Sequence, residues 1–297
     1  MTEQRTRYLY GTNDWREARR GQINASELAA ILGLSPYTTE WEVWAEKQGL
    51  LMPWEGNEAT RAGQRFESAL LDLAEADLGR LERDVSIHHR SIPLAATLDA
   101  QVMTTGEPVE AKTTGIVGPV WGDWGDYGTD HIPESYLIQV HAQLMCSGAE
   151  LAYLYALIAG RGVIRYEIQS DPEIHANLED VIGSWWHRHM IAGVEPSKQS
   201  VPLATFKRLK REPKKRVELS SDILSWISDL ERWKTDRKEI EERIEMAEAT
   251  ILSSLGDAES GDLPDGRQVT FYSQHRKAYS VEAKDYRVMR IAKCKAK

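Results

Sequence analysis

Only two cysteines, Cys146 and Cys294, occur in the 297 residues, and they stand far apart. That is too few for a disulfide framework or a four-cysteine metal centre, so both are expected to be free thiols. No apolar run approaches the roughly 18 residues that mark a membrane span. The N-terminal MTEQRTRYLYGTNDW lacks the apolar centre of a secretory signal. These absences lead us to expect a cytoplasmic protein with no membrane partner. A Gly-x-x-x-x-Gly-Lys-Ser/Thr loop is missing, which argues against an ATP-driven motor. No internal repeat or low-complexity tract breaks the chain. Net positive charge is also lacking. The balance of −9 counts against a nucleic-acid partner if taken alone, because basic surfaces drive phosphate binding.

The distribution of charge changes that conclusion. Segment 207–216, KRLKREPKKR, holds seven Lys/Arg against Glu212, and 267–297 holds nine against Glu282 and Asp285. Acidic residues that surround a cation are also compatible with phosphate chemistry, because the ion inverts their effect. The length allows about two domains of roughly 100–200 residues each, and 41% hydrophobic residues suffice for a sizeable core.

Patterning through residue 195 is mixed helix and strand. Thr39 suits the N-cap of a short helix that buries Trp41, Val43, Trp44 and the stem of Lys47. Residues 57–78 read as a longer helix with Phe66, Leu70, Leu73 and Leu78 inward. Segments 83–89, 94–103 and 107–113 suit strands. The glycine-rich 114–133 reads as a long loop, a class that is usually functional or mobile. A helix over 134–147 follows, then strands 151–158 and 162–169 joined at Ala-Gly-Arg-Gly. A further helix opens at Asp171-Pro172 and runs to about 191. Ile223, Leu230, Trp233, Ile240, Ile244, Ala247, Ile251 and Leu255 recur at helical spacing. LPDGRQVTFYSQHRKAYSV then reads as a turn and a β-hairpin or arm. The expected domains are 1–195, a basic linker over 196–217, and an extension over 218–297 for oligomerisation or for contact with DNA or a partner.

One constellation carries chemistry. Asp99 ends a predicted strand, and Glu110 and Lys112, one residue apart, share a face of the next. A turn at Thr105-Gly106 brings the two strands side by side, so two carboxylates and an ammonium converge. Mg²⁺ takes oxygen ligands and needs only one or two carboxylates beside a substrate phosphate. Such an ion polarises a phosphoryl oxygen and acidifies a bound water, and a lysine stabilises the charge that develops. The arrangement suits in-line hydrolysis of a phosphodiester. An exposed Glu–Lys pair on a strand face is the alternative reading.

The surrounding residues narrow the choice. R19-R20-G21-Q22-I23-N24-A25-S26-E27, continued by A30-I31-L32-G33-L34-S35-P36-Y37, resembles the N-terminal motif of the YqaJ-type viral recombinase family. R61-A62-G63-Q64-R65-F66-E67 resembles that family's Gly-x-x-x-Glu helix. Asp99 with E110-A111-K112 resembles its PD-(D/E)xK core, and S135-Y136-L137-I138-Q139-V140-H141-A142-Q143-L144 its Gln-containing helix. The likeness covers roughly residues 13–190, with the segments in the family's order. It implies an α/β fold of the restriction-endonuclease-like kind, with a mixed central sheet flanked by helices, and a long helix and β-arm as a C-terminal extension.

The same resemblance implies an Mg²⁺-dependent deoxyribonuclease, with Mn²⁺ also able to serve. It implies exonucleolytic digestion of double-stranded DNA ends from the 5′ side, in a phage or prophage setting. By the same resemblance the chain would be a homo-oligomer, a trimer, that works with a single-strand annealing protein. Carried over, Glu67, Asp99, Glu110 and the Ala111 carbonyl would hold metal, and Lys112 would be the catalytic lysine. Arg19, Ser26 and Thr97 would meet a phosphate, and Gln139 would support the attacking water or the phosphate. Ala100 stands where the family often has glycine, a place where a left-handed backbone would strain alanine.

Other readings of these residues stay open. Glu67 also suits a solvated helix face, Arg20 could replace Arg19, Ser26 could cap a helix over 27–32, and Gln139 could be a satisfied core amide. Trp121, Trp124 and Tyr127 either stack on DNA or pack on the core. His187 and His189, beside Trp185 and Trp186, suit packing and capping better than metal binding. Other reaction classes remain alternatives: an endonuclease or helicase-linked nuclease of the same fold, and a non-cleaving scaffold that binds DNA ends.

Overall fold

The computed structural model describes residues 12–213, 215–273 and 275. The chain separates into two units after Lys210. The first unit is built on a mixed six-stranded sheet: β1 (Ile23–Asn24), β2 (Leu81–His88), β3 (Leu94–Val102), β4 (Pro108–Thr114), β5 (Leu151–Ile158) and β6 (Gly162–Gln169). β2, β3 and β4 run antiparallel, β4 pairs parallel with β5, and β5 and β6 form the hairpin expected at Ala-Gly-Arg-Gly. Helix α5 (Glu134–Ser147) supplies the crossover that parallel β4 and β5 require. The result is an α/β unit with a mixed central sheet flanked by helices, as expected.

Helices cover both faces of the sheet. On one, Ala142 and Cys146 of α5 pack with Leu28 of α2 (Leu28–Ile31), Leu178 and Ile182 of α6 (Pro172–Trp185), and Val85, Ile87, Leu94, Ala96 and Leu98 of the strands. On an adjacent stripe of α5, Val140 and Leu144 pack with β5, β6 and Trp124. On the other face, Leu71 and Ala74 of α4 (Glu58–Leu78) meet Ala100, Val102, Val109 and Tyr155. The buried stripe of α4 is thus Ala62, Leu70, Leu71 and Ala74, whereas Phe66 and Leu73, expected inward, are exposed. Small residues at Ala62 and Ala74 bring the helix close to the sheet, and that approach, not apolar size, selects the face.

Local signals are obeyed closely elsewhere. Thr39 caps α3 (Glu40–Lys47) in a reciprocal capping box with Glu42. Asp171 accepts from the Glu173 and Ile174 amides at the start of α6, with Pro172 at the first position. Past Trp185 the helix widens into a π turn over Trp186–Ile191, where His189 is buried against the Val194 carbonyl. Ser26 does not cap the following helix: the N-cap of α2 is Glu27, and Asn24 opens the preceding 3₁₀ turn at Ala25–Glu27, its amide donating to the Glu27 carboxylate. Part of the expected linker is ordered: α7 (Leu203–Arg208) presents Phe206 to Trp41, and Leu209 bridges Leu51.

The second unit holds α8 (Asp222–Leu255), with no buried residue among those described, and a hairpin of β7 (Ser260–Asp262) and β8 (Gln268–Thr270) closed across LPDGR. The basic tail past residue 275 and Cys294 lie outside the described residues. Among the described residues no helix is long and apolar enough to cross a membrane.

His141 of α5 faces His175 of α6, Nδ1 to Nε2 at 3.4 Å. Burial lowers both imidazole pKa values. His175 lowers that of His141 further and His89 that of His175, with Asp171 opposing in each case. Above the unfolded value of about 6.5 both states are neutral, and below it the unfolded chain takes up protons first, so stability falls with pH. The stability advantage of wild type over His141→Gln/His175→Gln is therefore expected to shrink between pH 7 and 5 in thermal melts. A difference independent of pH would exclude the pair from the acid response.

Candidate active site

The residues singled out from the sequence form two clusters on β3 and its neighbours. β3 and β4 stay paired only at Ala100–Val109 and Gln101–Pro108, next to the turn at Gly106. Beyond this they separate, and the Asp99 carboxylate fills the gap, accepting from the Ala111 amide at 2.8 Å. Asp99 therefore lies inside β3, not at its end. In an extended strand the carbonyl of a residue points to the same edge as its amide, so Ala111 also offers its oxygen there.

Glu110 is the hub, with 2% of its side chain exposed. Lys112 Nζ lies 2.5 Å from Oε1. Gln139 donates to Oε1 at 2.6 Å and Gln143 to Oε2 at 2.5 Å. Gln139 and Lys112 therefore meet on the same carboxylate oxygen. Gln143 was not singled out from the sequence, although its i+4 spacing on the expected helix would have placed it beside Gln139. Tyr136, one turn earlier, lays its ring 5.1 Å from Lys112 Nζ.

The electrostatics are strained in one direction. Burial, then Glu110 and Glu67, push the Asp99 carboxyl well above the ordinary range, with Lys112 and the Ala111 amide opposing. Burial, Glu110 and Asp84 raise Glu67, against Lys112, which places Glu67 of α4 in the same field. Burial alone would lower Lys112, but Glu110 and Asp99 outweigh it and hold the ammonium charged. Three carboxylates therefore share one lysine, a surplus of negative charge in a low-dielectric setting.

Their oxygens are the hard donors a divalent ion takes. Among the described residues no three acidic, histidine or cysteine side chains are already gathered tightly enough to hold one. Two carboxylates and a carbonyl at the β3–β4 gap meet the smaller demand of Mg²⁺, which keeps several waters.

Backbone strain lies on β2, not at Ala100. Ala100 is paired to Arg83 and Val109 and fully buried. Asp84, between the pairs Arg83–Ala100 and Val85–Leu98, has φ 57°. A non-glycine residue there costs about 1–2 kcal/mol. The packing changes sides at the same point: Ala100 and Val102 pack with α4, Ala96 and Leu98 with α5. Strict alternation would keep all four on one face.

The second cluster is at the foot of β3, where β1 pairs with Leu94 and Ala95. Arg19, in the last turn of α1 (Asn13–Arg20), donates to Ser26 Oγ at 3.2 Å and Glu27 Oε1 at 3.1 Å, and stacks on Trp15. Lys47, almost wholly buried, reaches Glu27 at 2.7 Å. Burial would raise Glu27, but Lys47 and Arg19 outweigh it and lower its pKa. Arg20, the alternative, pairs with Glu17 instead. Thr97 stands exposed on β3, two residues from Asp99. Trp124 packs in the core, Trp121 is half-buried, and Tyr127 lies exposed under Arg165.

Residues 14–150 match the YqaJ-like viral recombinase domain, a span that includes both clusters. The uncharacterized protein YqaJ of Bacillus subtilis is 26% identical over 259 residues, covering 84% of this chain and 80% of its own. Protein D345L of African swine fever virus is 39% identical over 64 residues, 22% of this chain and 19% of its own. Among solved structures, LHK-Exo in complex with dAMP aligns at a TM-score of 0.50 and 17% identity, covering 61% of this chain and 94% of that one. LHK-Exo is an alkaline exonuclease from Laribacter hongkongensis. At that identity the likeness is one of fold.

Gln143 donates to Glu110 Oε2. Replacing it by Leu strands a buried carboxylate oxygen, a loss of about 1–3 kcal/mol. The urea midpoint of Gln143→Leu is expected to fall accordingly. An unchanged midpoint would show that Glu110 does not depend on this amide.

Proposed function

We propose that the protein is a metal-dependent nuclease that degrades linear double-stranded DNA, with Asp99, Glu110 and Lys112 at its centre. The observation that carries this reading is the buried surplus of carboxylates around one charged lysine, placed where β3 and β4 part. The YqaJ-like domain and the exonuclease that shares its fold support it.

Asp99, Glu110 and the Ala111 carbonyl, with Glu67, would hold Mg²⁺ or Mn²⁺. The bound ion would polarise the scissile phosphoryl oxygen and lower the pKa of a water. Lys112, kept protonated by Glu110 and Asp99, stabilises charge at phosphorus and leaves Glu110 as the phosphate approaches. Gln139 retains Glu110 in place and orients the water. Arg19 and Ser26, already held together, receive a terminal phosphate, and Thr97 stands on the strand that joins them to Asp99. We further infer digestion from the 5′ end, in a phage or prophage setting, by a homo-oligomer that hands single strands to an annealing protein. The exposed apolar stripe of α8, with Trp233, Ile240, Ile244 and Ile251, supports a partner helix for that unit.

The test uses linear and covalently closed circular duplex, with Mg²⁺ or with EDTA. Loss of the linear substrate alone, and only with the metal, is expected. Cutting of closed circles would replace this reading with an endonuclease, and binding without cleavage would replace it with a DNA-end scaffold. Lys112→Ala should lower the rate by about 100-fold or more, the scale of one lost transition-state donor. Undiminished cleavage would overturn the assignment.

A further inference from the structure

Two aromatic side chains beside the site have no part in the proposed reaction. Tyr37 lies in Leu34-Ser35-Pro36-Tyr37, where Ser35 Oγ accepts from the Tyr37 and Thr38 amides at 3.2 Å each. The loop therefore leads into the α3 cap in a fixed turn. Tyr37 is 66% exposed. Trp121 lies in the glycine-rich loop after β4, and its main chain is pinned at both ends. Its amide donates to Thr114 Oγ1 at 2.9 Å, and its carbonyl accepts from the buried Trp124 indole at 2.8 Å. Gly122, at φ +82°, lets the loop pass Pro133 where a Cβ would come within 2.4 Å of that ring. The half-buried Trp121 indole is thus held without being enclosed.

The two rings meet at 5.8 Å, tilted by 54°. Trp121 in turn stands edge-on to Tyr136 at 5.6 Å, and Tyr136 lies 5.1 Å from Lys112 Nζ. Two such steps place Trp121 within a few nucleotide rises, each about 3.4 Å along a strand, of the lysine. The other loop aromatics are already engaged: Trp124 lies between Tyr136 and Tyr166, and Tyr127 lies under Arg165. Charge in the loop sets the orientation of a ligand. Asp123 and Asp126 are held by His131 and Arg161, and Asp130 adds a third carboxylate to the segment. These acids repel phosphates, so a nucleotide would turn its neutral base to the loop and its phosphate toward Lys112.

We propose that Tyr37 and Trp121 form a stacking subsite for a nucleobase of the DNA strand whose backbone lies at Asp99, Glu110 and Lys112. The subsite deepens the nuclease reading and rests on it for the identity of the polymer. It is sequence-tolerant, because every base offers a π-face. Fixing both main chains in advance lowers the ordering cost of binding.

The test measures binding apart from cleavage. Fluorescein-labelled duplexes carrying an abasic nucleotide at each of the terminal positions in turn are titrated by anisotropy, with Ca²⁺ in place of Mg²⁺. At one position the wild type should bind the abasic duplex roughly 5- to 100-fold more weakly than the intact one, the range of one lost base–aromatic stack. Trp121→Ala and Tyr37→Ala should bind intact DNA as weakly as abasic DNA, and Trp121→Phe should restore the difference. Because Tyr37 is exposed, its variant keeps the test valid if Trp121→Ala fails to fold. Indifference of the wild type to base removal at every position would overturn the subsite, as would equal weakening of both DNAs by the variants. Base-dependent binding without cleavage in Mg²⁺ would leave the subsite standing and remove the nuclease reading. Cleavage with base-independent binding would do the reverse.

Discussion

The buried carboxylate of Glu110 is the constraint around which the first unit is arranged. A charge out of water needs donors on both oxygens, and here they come from β4 itself and from two turns of α5. Those bonds fix the rotation of α5 about its axis. With α5 so turned, Ala142 and Cys146 face one part of the sheet and Val140 and Leu144 another. The two apolar clusters on that face therefore follow from how one charge is satisfied. Cys146 is packed among them, and burial raises its thiol pKa to about 12, consistent with a structural thiol.

Charge surplus and backbone strain occur at the same place. Asp99 and Glu67 are held above their ordinary ionisation range by burial and by Glu110, and Asp84 takes a left-handed backbone across the ladder from Asp99. Strained groups of this sort persist only where the surroundings over-determine them. Here the paired lengths of β2 and β3 on either side, and the helices on both faces, hold the distortion in place. The opposite arrangement holds at the foot of β3, where Arg19 and Lys47 are balanced by Glu27. The middle of the strand therefore has a surplus of carboxylates, and its foot has cations fixed in place by an acid.

Much of the fold was legible because its signals are local. Thr39, Asp171-Pro172, the β5–β6 hairpin and the bounds of α5 rest on capping chemistry, turn glycines and hydrophobic period, all of which act within a few residues. The pairing of Asp99 with Glu110 and Lys112 was legible for the same reason, since one turn at Thr105-Gly106 sets it. The buried face of α4 was not. Phe66 and Leu73 have the stronger apolar signal, but Ala62 and Ala74 permit closer approach to the sheet, and a sheet surface is not written in the helix. The role of Lys47 was hidden likewise: its partner Glu27 is twenty residues away and on another element.

The sequence by itself determined which elements form, the α/β class, and the Asp99–Glu110–Lys112 set, because these depend on period, caps and one short turn. Only the tertiary structure decided how Glu110 is held, by Gln143 as well as Gln139, and that the strain falls on Asp84 and spares Ala100. It alone sorted the loop aromatics, burying Trp124 and leaving Trp121 beside Tyr37. Those outcomes depend on the packing of α5 across the sheet and on the contacts of one carboxylate, which bring together residues from separate strands, helices and loops.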